Sequence, residues 1–295
     1  MRGRLAATAA NIVTGGLARL HLRTAQRVGV VLADVAWFAN LRPARITRAN
    51  VDACFVDLTA RERRDLARAS LRETGKLVGE SGLVWRAPAA RWHDAIARVV
   101  GEDALADAHE AGSGVLLLVP HVGNWELLNL FLGERHRLVA TYVPTRYPAL
   151  DARIIEWRNR AGSTLVAASR AGIRALYRRL RDGGVVAILP DQVPPRSAGV
   201  YAPFFDRQAL TLTLCASLLR ATGARPLLAS AMRCDDGRFE IRFEIPDVGC
   251  ADRDPAVAAT ALNRSIERVV RRCPAQYQWE YKRFKNPPEG AERIY

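Results

Sequence analysis

The chain has 295 residues, of which 49% are hydrophobic and 25% charged, a composition that is ordinary for a folded globular protein and excludes intrinsic disorder. Its 44 Lys and Arg outnumber its 30 Asp and Glu, giving a formal net charge of +14, so we expect an anionic partner such as nucleic acid, an anionic membrane or an acidic protein. The five cysteines are widely spaced and contain no Cys-x-x-Cys pair, which excludes a disulfide scaffold and a zinc ribbon and favours a reducing compartment.

The N-terminal segment raises the question of membrane contact. Basic residues interrupt its apolar stretch too early for a signal peptide, and its longest apolar run falls short of the ~20 residues of a spanning helix. Apolar residues from Val28 to Phe38 recur at helical spacing, and Arg19, Arg23 and Arg27 follow at intervals of four. This pattern is typical of an amphipathic helix at an anionic membrane interface, and equally of one packed on the protein's own core.

Residues 46–85 are predicted to be helical, with a capping box at Thr59 and Glu62 and a solvated outer face formed by the charged residues. Helices are also expected at 151–161, 173–181 and 210–222. A last helix begins at the Asp254-Pro255 N-cap and stops at Cys273.

Apolar runs bounded by Gly or Pro predict buried strands between these helices. They are GSGVLLLVP, LVATYVP, TLVAAS and GGVVAILP, followed by RPLLASAMR and the alternating RFEIRFEIPDV, one face of which is expected to be wet. Strands that alternate with helices indicate a single α/β domain. The predicted fold is a central mixed sheet flanked by helices, preceded by an N-terminal membrane-associating helix.

The most informative string is His121-Val-Gly-Asn-Trp-Glu126, directly after a buried strand. The carboxyl ends of strands are where open α/β sheets build ligand sites. A histidine can take a proton from a hydroxyl near neutral pH, and a carboxylate on its other nitrogen fixes the tautomer. Gly123 allows the turn that would bring Glu126 to His121. By itself, however, a His-x4-Glu pair more often marks a hydrogen-bonded structural histidine.

Other chemistries have weaker support in the sequence. The remaining histidines, including His93, His109 and His136, show no recognisable metal-ligand spacing, and no Walker A string is present. Basic residues are spread along the whole chain without an aromatic-interleaved stripe, so nucleic acid is not an expected partner.

The motif around His121 and four longer blocks make the chain similar to a known family. The string around His121 resembles the His-x4-Asp/Glu motif of the lysophospholipid acyltransferase superfamily. Within it, the chain resembles the late acyltransferases of lipid A biosynthesis. That resemblance extends through four blocks, which are ITRANVDACFVDLTARERRDLARASLRETGKLVGE, ATYVPTRYPALDARIIEWRNRAG, GGVVAILPDQVPPRSAGVYAPFF and the C-terminal CPAQYQWEYKRFKNPPEGAERIY.

The resemblance implies roles for individual residues. The family's general base falls on His121, its carboxylate partner on Glu126 and its catalytic arginine on Arg158. Where the family has Tyr-Arg-Pro this chain has Tyr142-Val143-Pro144, so the role of that arginine either passes to Arg146 or is absent. The substrate-binding candidates implied for the acceptor pocket are Arg146, Asp191, Gln192 and Asn124.

The resemblance also implies a reaction and its setting. A fatty acyl chain would pass from an acyl carrier protein thioester to a hydroxyl of a lipid A precursor, with no metal or dissociable cofactor. The expected partners are acyl carrier protein, an anionic lipid acceptor and the membrane surface, at the cytoplasmic face of the bacterial inner membrane. The chain would comprise an interfacial or membrane-anchoring helix at 1–45 and an acyltransferase domain at 46–295.

Two alternatives stay open. The same transfer could use another glycolipid, an amino-acid lipid or an aryl lipid as acceptor. The protein could also be a basic lipid- or nucleic-acid-binding protein without catalysis.

Overall fold

A computed structural model describes residues 2–295, apart from the side chains of Arg2, His109 and Glu110. Its N-terminal part is a set of helices. They are α1 (Arg2–Leu17), α2 (Leu22–Phe38), α3 (Arg42–Cys54), α4 (Ala60–Arg86) and the short α5 (Ala89–Asp94). Residues up to 45 therefore form two helices and the start of a third, where one helix was predicted. Arg19 lies in the turn before α2, because α1 ends at Leu17.

The rest of the chain alternates strands and helices. The elements are β1 (Ile96–Val100), α6 (Asp103–Glu110), β2 (Val115–Leu118), α7 (Trp125–His136), β3 (Val139–Tyr142), α8 (Pro148–Asn159), β4 (Thr164–Ala167), α9 (Arg170–Arg181), β5 (Val185–Ile188), β6 (Gly199–Phe204), β7 (Arg207–Leu212), α10 (Leu214–Thr222), β8 (Arg225–Arg233), β9 (Phe239–Glu244) and α11 (Pro255–Arg272).

Seven strands form the central sheet in the order β1-β9-β8-β2-β5-β3-β4. β8 and β9 pair antiparallel, whereas the other neighbours pair parallel, so the predicted mixed sheet is confirmed. β2 lies at the centre between β8 and β5, and alternate residues of β2 enter two apolar clusters, one on each face. The sheet is thus covered by helices on both sides, which explains why β2 is apolar throughout.

The capping box of α4 is present, because Thr59 and Glu62 each accept a hydrogen bond from the other's backbone. The expected helix at 210–222 begins later, at Leu214. Leu210 and its neighbours belong instead to β7, which pairs antiparallel with β6 through a tight turn at Phe205 and Asp206. That hairpin is local in sequence, but the apolar spacing of 210–222 also fits a helix, so the spacing alone does not reveal the strand.

The helices α2 and α4 pack very closely. A Cβ on Gly29 of α2 would stand 2.0 Å from the carbonyl oxygen of Gly75 in α4, and one on Gly79 would stand 2.1 Å from the carbonyl oxygen of Ala25. Small residues therefore face α4, and the apolar face of α2 from Val28 to Phe38 is left exposed. No helix within residues 2–295 is long and apolar enough to cross a membrane.

Candidate active site

His121 and Asp191 come together because their strands are neighbours. β2 and β5 pair parallel and in register, with Leu118 opposite Ile188. His121 lies three residues beyond the end of β2, and Asp191 lies three residues beyond the end of β5. Parallel strands in register carry equivalent positions to the same edge of the sheet, so two residues 70 positions apart become partners.

Asp191 binds His121 through both of its carboxylate oxygens. Oδ1 lies 2.7 Å from the ring Nδ1, and Oδ2 accepts the backbone N–H of His121 at 2.8 Å. The pair is nearly enclosed, with His121 9% and Asp191 2% exposed. Burial raises the pKa of Asp191, but electrostatic attraction to His121 and the hydrogen bonds from it outweigh burial and hold that pKa below its usual value. Asp191 is therefore ionised at neutral pH.

The ionised carboxylate determines the tautomer of the imidazole. Because Asp191 can only accept, Nδ1 of His121 carries a proton, and in the neutral ring Nε2 keeps its lone pair. The amide nitrogen of Gln192 lies 3.1 Å from this Nε2 and donates to it. The ring of Trp125 contacts the imidazole edge-to-face at 4.8 Å between centroids. His121 thus presents an unprotonated nitrogen that already accepts a hydrogen bond.

Glu126 occupies a different place from the one predicted. It was expected on the second nitrogen of His121, but Asp191 holds that nitrogen and Glu126 pairs with Arg158. Nε of Arg158 lies 3.0 Å from each carboxylate oxygen, and Nη2 makes a further contact with Oε1. Glu126, in the first turn of α7, therefore pairs with Arg158 in the last turn of α8.

The turn between β2 and α7 explains this geometry. Gly123 has φ +63°, and a Cβ there would stand 2.0 Å from the carbonyl oxygen of Ala231, so only glycine fits. Asn124 follows as the N-cap of α7, with Oδ1 accepting from the backbone N–H of Leu127 at 2.9 Å. Its amide nitrogen donates to Glu80 at 2.8 Å. Asn124 was a substrate-binding candidate, but it is fully buried and both of its side-chain groups are engaged.

A buried ion pair between Glu80 and Arg233 supports this turn through the side chain of Asn124. Glu80 of α4 is fully buried, contrary to the solvated face expected for that helix, and it accepts two hydrogen bonds from Arg233 at the end of β8. Glu80 also accepts from Gln26 of α2 and from Asn124. The sequence carries no signal for this pair, since Glu80 looks like any other charge on a polar helix and its partner is 153 residues away.

A cavity of about 290 Å³ opens beside His121 between α7 and the sheet. His121, Gln192, Glu126 and Arg158 lie among its polar residues. Most of the other lining residues are apolar, including Leu128, Leu132, Leu138, Ala140, Leu165, Ala187 and Leu189. A reactive polar group at one part of a mainly apolar cavity suits a ligand with a long hydrocarbon chain.

Arg146, the remaining substrate-binding candidate, lies outside this cavity. It is exposed, with its guanidinium 4.8 Å from the ring centroid of Tyr147. Among the described residues, no group of three or more His, Cys, Asp or Glu could hold a metal ion, and the side chain of His109 lies outside that description.

The fold and the site together define an α/β protein with a carboxylate-oriented histidine at the carboxyl edge of its sheet. Comparison with known proteins identifies the family to which the chain belongs. A family model for bacterial lipid A biosynthesis acyltransferases matches residues 6–286. The chain belongs to this family, which supports acyl transfer in lipid A biosynthesis as its activity.

Individual relatives agree with this membership. The chain is 30% identical to a lipid A biosynthesis palmitoleoyltransferase of Escherichia coli K12, over 86% of this chain and 82% of the relative. It is 28% identical to a lipid A biosynthesis lauroyltransferase of the same organism, over 91% and 88%. It is also 29% identical to a phosphatidylinositol mannoside acyltransferase of Mycobacterium tuberculosis, over 71% and 67%.

Proposed function

We propose that this protein transfers a fatty acyl chain from the thioester of an acyl carrier protein to a hydroxyl of a lipid A precursor, at the cytoplasmic face of the bacterial inner membrane. The observation that supports this most is the unprotonated Nε2 of His121, oriented by Asp191 at an apolar cavity. The names of the relatives and the family membership point the same way.

In the proposed reaction His121 is the general base. The acceptor hydroxyl displaces the amide of Gln192 from Nε2 and gives its proton to that nitrogen. The alkoxide oxygen bonds to the thioester carbonyl carbon and forms a tetrahedral intermediate. Its collapse breaks the carbon–sulfur bond, and the leaving thiolate takes the proton back from the imidazolium. The negative charge of Asp191 stabilises that imidazolium while it exists.

Arg158 is the candidate for stabilising the oxyanion. Its contacts with Glu126 use Nε and Nη2, which leaves Nη1 for a substrate oxygen, and the residue lines the cavity. A guanidinium is delocalised and stays charged, so it can stabilise negative charge that develops on the carbonyl oxygen. Glu126 then acts as a positioning residue that holds the plane of the guanidinium, rather than as the partner of His121.

The apolar lining of the cavity and the positive charge of the protein indicate which donor and acceptor the protein uses. The apolar wall of the cavity suits the acyl chain, because burial of each methylene contributes about 0.8 kcal/mol. The net charge of +14 suits an acidic carrier protein and an acceptor that bears phosphates. The thioester is already activated, so the proposed transfer needs no metal or dissociable cofactor.

The direct test supplies detergent-purified protein with a medium- to long-chain acyl-acyl carrier protein and a tetra-acylated lipid A precursor carrying sugar acids. Mass spectrometry of the lipid is expected to show a gain of one acyl chain. A His121→Ala variant is expected to lose on the order of 10²–10⁴ in rate. An intact thioester and an unchanged lipid with folded wild-type protein would refute acyl transfer.

A second candidate keeps the chemistry and changes the acceptor. The likeness to a phosphatidylinositol mannoside acyltransferase favours testing a mannosylated inositol lipid in parallel. Acylation of that lipid alone would replace the lipid A precursor as the substrate. His121-dependent consumption of the thioester without acylation of either lipid would keep the catalyst and exclude both acceptors.

A further inference from the structure

A second cavity, of about 560 Å³, lies between the C-terminal segment and the loop after β5. Four cationic side chains line it: Arg196, Lys282, Lys285 and Arg293. Glu289 is the acidic side chain in the lining. We propose that this basic cavity binds a phosphate group of the lipid acceptor, an inference whose choice of ligand rests on the proposed function.

The four cations are not neutralised by the protein. Within the described part of the chain, none of them has a carboxylate at ion-pairing distance, although many other arginines do, such as Arg72 with Asp34 and Arg153 with Glu156. Converging like charges repel each other, so an arrangement of this kind is favourable when an anion occupies the space between them.

Aromatic rings hold the two lysines in place. The ammonium of Lys285 lies 5.2 Å from the ring centroid of Tyr281, and that of Lys282 lies 4.8 Å from the ring centroid of Tyr295. Both rings are anchored: Tyr281 Oη accepts the backbone N–H of Val193 at 2.9 Å, and Tyr295 Oη accepts that of Phe284 at 3.3 Å. The cations are therefore positioned before a ligand arrives.

The basic cavity is close to the proposed base. Gln192 contacts His121 directly, Val193 is the next residue, and Arg196 follows four positions after Gln192. Four residues span at most about 14 Å when fully extended. One phosphorylated lipid can thus place a hydroxyl at His121 and a phosphate in the basic cavity.

The lining favours a phosphate over an acidic protein surface. Lys282 and Lys285 are two of the three lysines of an otherwise arginine-based positive charge. An ammonium binds phosphate as a compact point charge, and the guanidinium groups of Arg196 and Arg293 can bind it in bidentate fashion. The volume is that of a small-ligand pocket, and the cations line a concavity rather than a convex face.

The test measures binding without a donor. Purified protein is titrated with detergent micelles containing an acylated glucosamine disaccharide with two phosphates, or the same lipid after a phosphatase has removed them. Wild-type protein is expected to bind the phosphorylated lipid more tightly. The Lys282→Gln/Lys285→Gln variant is expected to lose on the order of tenfold in this preference for each lysine.

A matched control removes the same charge elsewhere. The Arg174→Gln/Arg178→Gln variant, on the exposed face of α9 and outside the cavity, is expected to keep the wild-type preference. Equal losses in both double variants, or no preference in the wild type, would overturn the inference. Weaker binding of acyl carrier protein, with unchanged lipid binding, would also overturn it. If the lysine variant fails to fold, Arg196→Gln is measured instead, with the same expectations.

Failure of this inference is distinct from failure of the proposed function. Binding is read without thioester, so a protein that prefers the phosphorylated lipid but transfers no acyl chain keeps the basic cavity and loses the proposed reaction. A protein that acylates both forms of the lipid equally well, and binds them equally, keeps the reaction and loses the basic cavity.

Discussion

Asp191 is required as a carboxylate because it accepts two N–H groups of the same residue. One comes from the ring Nδ1 of His121 and the other from its backbone. An asparagine offers a single oxygen, so its NH₂ group would have to face one of these two donors. If the NH₂ group faces the ring, Nδ1 loses its hydrogen bond or the ring changes tautomer and carries its proton on Nε2. If it faces the backbone, the hydrogen bond of the backbone N–H is lost. In both cases the negative charge that stabilises the imidazolium is absent.

We therefore expect Asp191→Asn to lower kcat by about 10²–10⁴ with a smaller effect on the acceptor KM. Steady-state acyl transfer measures both constants. Asp182→Asn, at an exposed position after α9, is the matched control and should behave as wild type. Wild-type kcat in Asp191→Asn would remove Asp191 from the mechanism.

Breaking the ion pair between Glu126 and Arg158 is expected to lower stability as well as activity. Glu126→Gln leaves the guanidinium of Arg158, which is 27% exposed, without its counter-charge. We expect the free energy of unfolding to fall by about 1–3 kcal/mol and activity to fall with it. Denaturant titration measures the first and acyl transfer the second.

The double variant Glu126→Gln/Arg158→Gln separates the two effects. It no longer carries a buried unpaired charge, so it should regain most of the stability while staying inactive. If the double variant regained activity as well, Arg158 would not be the group that stabilises the oxyanion.

His121 and Arg158, both predicted from the sequence, line the same cavity, but the carboxylate on the imidazole is Asp191 and not the predicted Glu126. Glu126 was chosen because it is near in sequence and lies in the same motif. Asp191 was recognised as polar at a strand end and assigned to the acceptor pocket, because its pairing with His121 depends on β2 and β5 being neighbours. Strand order is a long-range property, and the spacing within one motif does not contain it.

At the scale of elements, the turn from β2 into α7 determines where His121 and Glu126 point. The backbone of Gly123 is in the left-handed conformation, and it lies against the carbonyl oxygen of Ala231 in β8. We expect Gly123→Ala to cost on the order of 3 kcal/mol, from backbone strain and the contact with the carbonyl oxygen, and to displace the site. Urea unfolding and acyl transfer measure the two consequences.

Gly15→Ala is the matched control for this change. Gly15 lies within α1, and a Cβ there meets no atom within 4 Å. Alanine in a helix is favoured over glycine by roughly 0.5–1 kcal/mol, so this control should be neutral or slightly stabilising. A Gly123→Ala protein as stable as the control would contradict the steric argument.

The buried central strands are predicted by the sequence, whereas a hairpin strand and a short edge strand are not. The strands in GSGVLLLVP and GGVVAILP were clear, because fully buried strands are continuous apolar runs. β7 overlaps the helix predicted at 210–222, because the apolar residues from Leu210 onward also fit a helical period, and the hairpin with β6 makes the first of them a strand. β1, an edge strand paired with β9, was missed because Ile96–Val100 is short and interrupted by Arg98.

At the scale of the whole molecule, α2 has two faces with opposite roles. Its small residues make the close contact with α4, and its large apolar residues point outward. Val31 is 61%, Val35 58% and Phe38 73% exposed, and the neighbouring Arg23 and Arg27 are exposed as well. The sequence left open whether this apolar face packs on the core, and the structure shows that it does not.

An exposed apolar stripe beside arginines suits an anionic lipid surface. We expect the protein to co-sediment with vesicles of anionic phospholipid more strongly than with neutral ones. Arg23→Gln/Arg27→Gln should weaken only the anionic binding, by roughly 1 kcal/mol or about fivefold for each arginine. Val31→Gln/Val35→Gln should weaken binding to both kinds of vesicle, since it removes buried apolar area.

Val248 supplies the control for the apolar change, because it is a fully exposed valine after β9, outside the α2 stripe. Val248→Gln should leave vesicle binding unchanged if α2 is the membrane-binding element. If Val248→Gln lowers binding as much as Val31→Gln/Val35→Gln does, apolar exposure in general, rather than α2, governs the association. If all variants and the wild type stay in the supernatant, the acceptor must reach His121 without the protein lying on the bilayer, and the apolar face of α2 requires another explanation.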